Sequence, residues 1–179
     1  MKIKNRLFLL GAAMAVMSSS VFADTTGTQT FTANVTANTC VISGENIAHD
    51  LGDISKQALL SLGDWSALRV YDDAISVSGC PTTFNTVNIA MDYKALPDWG
   101  IYGWMDNTGT AKGVALKLIK GEGIGFAPGP NGYDYPLTSG GAVIPVTAQV
   151  ARVAKSVVSD ADVTSGTVNF TSTITISVK

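Results

Sequence analysis

The stretch TTGTQTFTANVTANTC, residues 25–40, alternates with the regularity of a β-strand. Thr26, Thr28, Thr30, Thr32, Asn34 and Thr36 fall on one parity, and Gly27, Gln29, Phe31, Ala33 and Val35 on the other. A strand so close to the N-terminus precedes every other core segment. Its reading decides the fold, because it must add to a sheet that the rest of the chain supplies.

Upstream, Lys2, Lys4 and Arg6 precede an apolar run over 7–17 and a small-residue stretch ending Val21-Phe22-Ala23. This is the pattern of a secretory signal peptide cleaved after Ala23, so residues 1–23 are expected to be removed on export. The apolar run is too short to span a bilayer, which needs about 20 residues. The rest of the chain is long enough for one domain with its own core.

The whole chain carries 12 Lys plus Arg against 14 Asp plus Glu. Three of the basic residues lie in the leader, so the exported part is distinctly acidic and nucleic acid is not an expected partner. The two cysteines, Cys40 and Cys80, both lie in the exported part, where an oxidising compartment favours their pairing over two free thiols. Such a bridge stabilises by about 4 kcal/mol on the chain-entropy account.

Alternating or apolar segments recur between turn signals at 29–38, 47–54, 74–80, 86–93, 113–120, 141–153 and 166–178. Short strands at this spacing, rich in Thr, Val and Ile, predict an all-β sandwich, with one short helical segment over 55–62. Two Gly- and Pro-rich excursions, 96–109 and 121–136, are expected to be irregular surface loops.

Little in the chain suits catalysis. His49 is the one histidine, no G-x-S-x-G elbow occurs, and a triad would rest on that residue alone, so His49 is expected at a surface or strand edge. Asp72-Asp73 and Asp160/Asp162 lack the oxygen density of a calcium loop and are expected to be solvated turn charges. The glycines at 121, 123 and 125 lead into Phe126, Pro128 and Pro130 and not into a helix, so no phosphate cradle is expected. No catalytic, metal or cofactor site is predicted. Trp99, Tyr102 and Trp104 offer the one candidate ligand patch, by sugar stacking, against the plainer expectation of aromatic packing over the sandwich.

The other end of the chain mirrors the first. In GTVNFTSTITISVK, residues 166–179, Val168, Phe170, Ser172, Ile174, Ile176 and Val178 alternate with polar residues. A core strand there would leave an open sheet edge with no successor to cover it. The N-terminal strand has the complementary surplus, so the start of one chain is expected to complete the sheet of another.

In this combination the sequence resembles the chaperone-usher pilins of Gram-negative bacteria, most closely the major pilins of type 1-like fimbriae. The resemblance is carried by the N-terminal extension from Gly27 through Phe31 and Ala33 to Cys40, by LGDIS at 51–55, ISVSGC at 75–80, IPVTAQV at 144–150 and the terminal strand from Gly166. It implies an incomplete immunoglobulin-like sandwich lacking its last strand, completed by a donor strand from a neighbouring subunit. Residues 24–38 would be the donor extension running into the first strand, and 39–179 the pilin domain. Gly27, Gln29, Phe31 and Ala33 would fill the groove. Gly166, Val168, Phe170, Ile174, Ile176, Val178 and Lys179 would form the groove strand that a periplasmic chaperone recognises before an outer-membrane usher hands the subunit on. The implied function is a noncatalytic structural subunit of a cell-surface fimbria, polymerised with other pilin subunits and supporting adhesion. The alternatives are an adaptor subunit near the tip and a secreted sugar-binding domain using the 96–109 loop. Two residues depart from the family pattern. Val178 stands where a penultimate aromatic is usual, and Gln29 where a hydrophobic residue is common, which implies a polar spot in the groove or another register.

Overall fold

The computed structural model describes residues 27–35 and 40–179. The expected signal peptide, residues 24–26 and 36–38 of the expected extension, and residue 39 of the expected pilin domain lie outside them. Among the described residues, ten strands form two facing five-stranded sheets. The first, in the order β3-β1-β10-β5-β8, contains β1 (Gly27–Val35), β3 (Ala48–Gly52), β5 (Thr86–Tyr93), β8 (Tyr133–Pro136) and β10 (Asn169–Val178). The second, in the order β2-β4-β9-β7-β6, contains β2 (Val41–Ser43), β4 (Ala67–Ser78), β6 (Trp104–Asp106), β7 (Val114–Ile119) and β9 (Ala142–Arg152).

The alternation read from the sequence explains which faces meet. Ile75 and Val77 of β4, Ile144, Val146, Ala148 and Val150 of β9, and Phe170, Ile174 and Ile176 of β10 all point into one core. Leu116 and Leu118 of β7 and Val87, Ile89 and Met91 of β5 complete it. The short helix α1 (Lys56–Leu60) falls inside the expected helical segment. Ser55 caps it by accepting from the Ala58 N–H at 3.1 Å, and Leu59 anchors it in the core.

Several boundaries differ from expectation for identifiable reasons. β4 begins seven residues before the expected segment, because its early residues pair with β9 across a bulge near Ala67 and Arg69 that apolar periodicity does not mark. Asp72 and Asp73 therefore lie within a strand and not in a turn. The 121–136 excursion ends in a strand, since Tyr133 to Pro136 pair with β5 and the ladder tolerates the terminal proline at an edge. The 96–109 excursion likewise contributes β6. β2 is too short to show a period. β10 starts at Asn169, so Gly166 precedes the strand; a Cβ there would meet the backbone of Ala111 at 2.6 Å.

The Cys40–Cys80 disulfide is formed and ties the entry to β2 to the exit from β4, with Cα atoms 4.5 Å apart.

Candidate functional site

The site is the slot between β10 and β3, and in this chain its own β1 occupies it. β1 runs parallel to β10, from Thr28 opposite Asn169 to Val35 opposite Ile176, and antiparallel to β3, where Gln29 faces His49. The strand that completes the sheet is thus the chain's own, where the sequence led one to expect a neighbour's. Its direction is set by the tether, because only a few residues separate Val35 from the disulfide-bonded Cys40. Among the described residues, every strand pair except β1 with β10 is antiparallel.

Main-chain bonds hold β1 on both sides, including Thr28 N–H to Val168 C=O at 3.1 Å and Phe31 N–H to Ile47 C=O at 2.9 Å. Phe31 is the anchor. It is 1% exposed in the shared core, and its burial contributes roughly 1.5–3 kcal/mol. Gly27 makes the close approach: a Cβ there would sit 2.7 Å from Leu51 Cβ. Ala33 takes the register position opposite Ile174.

Gln29 is the exception. It is 1% exposed, and neither Oε1 nor Nε2 has a partner among the described residues. On the neighbouring strand Ser172, also 1% exposed, has an Oγ without a partner. A buried polar group left unpaired costs about 1–3 kcal/mol. The register explains both. Gln29 lies opposite Phe170, and Ser172 opposite Phe31, so each polar residue is paired across the ladder with a phenylalanine that offers it no hydrogen-bond partner. Ser172 is legible in the sequence as the one hydroxyl on the apolar parity of β10, although that signal alone does not tell what it faces.

Beside the slot, His49 reaches from β3 to the opposite sheet, with Nε2 2.7 Å from Asp73 Oδ2 and its ring stacked on Tyr71 at 4.3 Å. It is a strand-edge histidine serving to close the sandwich. Among the described residues no cluster of metal-ligating side chains occurs. Asp72 instead accepts from the Thr147 hydroxyl at 2.7 Å.

At the far end of the groove strand, Val178 is half-buried and pairs with Val87. Lys179 continues the pairing through Thr86, and its ammonium meets Asp134 at 3.2 Å. Hydrogen bonds from Asn88 and then Lys179 hold the Asp134 carboxyl below the usual carboxylate range.

The aromatic loop packs on the outer face of the second sheet, not in the slot. Trp104 is 5% exposed, beneath Trp65 at 4.6 Å, and Trp65 touches Trp99 at 4.5 Å. With Leu96, Ala115, Ala151 and Val153 they form a second small core. Tyr102 and Ile101 stand out from it into solvent. Trp65, which sequence reading did not single out, is the centre of this cluster.

Comparison with known proteins agrees with this architecture. No family model matches the chain. It is 31% identical over 123 residues to Protein FimG of Escherichia coli K12, spanning 69% of this chain and 70% of that protein. It is 30% identical over 140 residues to the fimbrial protein FimX of Bordetella pertussis, spanning 66% and 68%. Among solved structures, the P pilus rod subunit PapA superposes with a TM-score of 0.61 at 22% identity, over 78% of this chain and 99% of that one. A chaperone-usher pilus structure concerned with rod uncoiling gives 0.63 at 21% identity, over 78% and 87%.

Proposed function

Given that the chain belongs to the chaperone-usher fimbrial subunits, we propose that it is a structural, noncatalytic subunit that polymerises by donating β1 to the β10/β3 slot of a second copy. The observation that carries this reading is the construction of the slot. It is filled by a strand joined to the domain through one short tether, held by main-chain pairing and by Phe31. The same strand from another copy presents the same groove-filling side chains, so exchange refills the slot while linking subunits.

When β1 is out of its own slot the slot needs cover, since its bare edges would pair indiscriminately. A periplasmic chaperone strand supplies that cover in this reading, and an outer-membrane usher supplies the exchange. Residues 24–38 act as the donor extension and 39–179 as the domain that receives it. The assembled product is a fimbria on the cell surface that supports adhesion.

The test is a gel of surface material sheared from cells, run with and without boiling, for the wild type and Phe31→Asp. The wild type is expected to give a heat-labile ladder that Phe31→Asp lacks, because a carboxylate cannot enter the apolar slot without a cost of several kcal/mol. Single bands in both unboiled samples would overturn the reading. Many copies per fibre by quantitative mass spectrometry mark a shaft subunit, and one or a few mark an adaptor near the tip.

A further inference from the structure

Gln29 and Ser172 offer more than a defect in packing. In the self-filled chain, Thr30 stands opposite Thr171, flanked by two mismatched pairs, Gln29 with Phe170 and Phe31 with Ser172. Reversing the direction of the inserted strand about that same central pair exchanges the partners. Gln29 then faces Ser172, and Phe31 faces Phe170. The two orphaned polar groups meet, and the two rings meet. Gly27 moves opposite Ile174, and Ala33 opposite Val168, which leaves the small residues against the branched ones.

Self-insertion cannot reach this arrangement, because the tether to Cys40 fixes the direction of the chain's own strand. A strand from a second copy has no such tether. Reversed, it pairs antiparallel with β10, as β5 already does on the other side, and the antiparallel ladder is the stronger per residue. The contact with β3 becomes parallel in exchange.

We propose that Gln29 and Ser172 form a polar pair that sets the register and direction of the intermolecular strand and biases the chain against closing on itself. This rests on the strand-exchange reading above and adds the residues that make a second copy the preferred occupant. Left apart, the two groups penalise the self-filled form; brought together across chains, they satisfy one another.

Cysteine pairs on the outward parity read the register in the full-length chain. Thr28→Cys with Asn169→Cys is expected to cross-link within the self-filled monomer, where the two residues are opposite. Thr28→Cys with Thr173→Cys is expected to cross-link only between copies in polymers. Thr30→Cys with Thr171→Cys, the central pair, is expected to bridge within monomers and between copies alike. Polymers that cross-link through the central pair but not through Thr28 and Thr173 would overturn this inference and leave strand exchange standing. Absence of any polymer would overturn both.

The coupling has its own signature. After refolding at a fixed concentration, Gln29→Leu and Ser172→Ala are each expected to lower the ratio of polymer to self-filled monomer about tenfold. The double variant is expected to lower it no further than either alone, because one pair is being removed. A double effect equal to the product of the single effects, or no effect of either, would overturn the pairing.

Discussion

His49 Nε2 lies 2.7 Å from Asp73 Oδ2, joining β3 at the edge of one sheet to β4 of the other, directly beside the inserted β1. The imidazole also stacks on Tyr71, so the contact is both polar and apolar. It holds down the strand that covers one side of the slot. His49→Phe keeps the stacking and loses the carboxylate bond, and is expected to cost roughly 1 kcal/mol. Its more telling effect is faster hydrogen exchange at the β1 amides, which open only when β3 or β10 releases them. Unchanged exchange there would mean that the pair does not gate the slot.

The approach of Gly27 to Leu51 predicts a size limit. Gly27→Val forces its side chain against Leu51 Cβ and is expected to destabilise the self-filled chain by about 1–3 kcal/mol in urea unfolding. Shortening Leu51 to Ala in the same chain should recover part of that loss, although Leu51→Ala alone destabilises through its cavity. Additive losses in the double variant would show that the two residues do not compete for one space.

Arg152 is fully buried at the end of β9, donating to the carbonyls of Val153 and Val158 and to Asp160 Oδ1. Hydrogen bonds from Lys155 and then Arg152 hold the Asp160 carboxyl below its ordinary range. A depressed folded-state value stabilises the protein above the unfolded carboxylate pKa, and that contribution disappears as pH falls through the folded value. Asp160→Asn is therefore expected to lower the melting temperature at neutral pH and to match the wild type in strong acid. Arg152→Ala should cost about 3 kcal/mol at neutral pH, by leaving two carbonyls unpaired and a cavity.

Trp104 and Tyr102, close in sequence, should respond oppositely to truncation. Trp104→Ala removes the floor of the second core and is expected to cost about 3–5 kcal/mol in thermal unfolding. Tyr102→Ala, at an exposed position, should fall within about 0.5 kcal/mol of the wild type. Comparable losses would mean that Tyr102 packs more firmly than its exposure shows.

How much of this was legible beforehand varies with the kind of signal. The inward parity of β9 and β10 was plain from Ile144, Val146, Phe170 and Ile174, because a strand buried on one face must repeat every second residue. The early half of β4 was not, since Arg69, Val70 and Tyr71 lack that repeat and owe their strand to β9. Arg152 sits where an apolar residue would suit the pattern, and its neutralisation by two carbonyls and Asp160 depends on a loop that folds back. Trp65 carried no periodic signal at all, and its role comes from Trp99 and Trp104 arriving from another segment.

By itself the sequence led to the expectation of an exported, disulfide-bearing β-sandwich with a first strand centred on Phe31 as groove-filler. Side-chain parity, cysteine placement and the leader are local properties, written into neighbouring residues. Tertiary structure alone decided which slot that strand fills in the single chain, and in which direction, because the bridge at Cys40 anchors one end and forces it to run parallel to β10. The same constraint sets Gln29 against Phe170 and Ser172 against Phe31. No local pattern contains that mismatch, since it exists only between strands more than a hundred residues apart in the sequence.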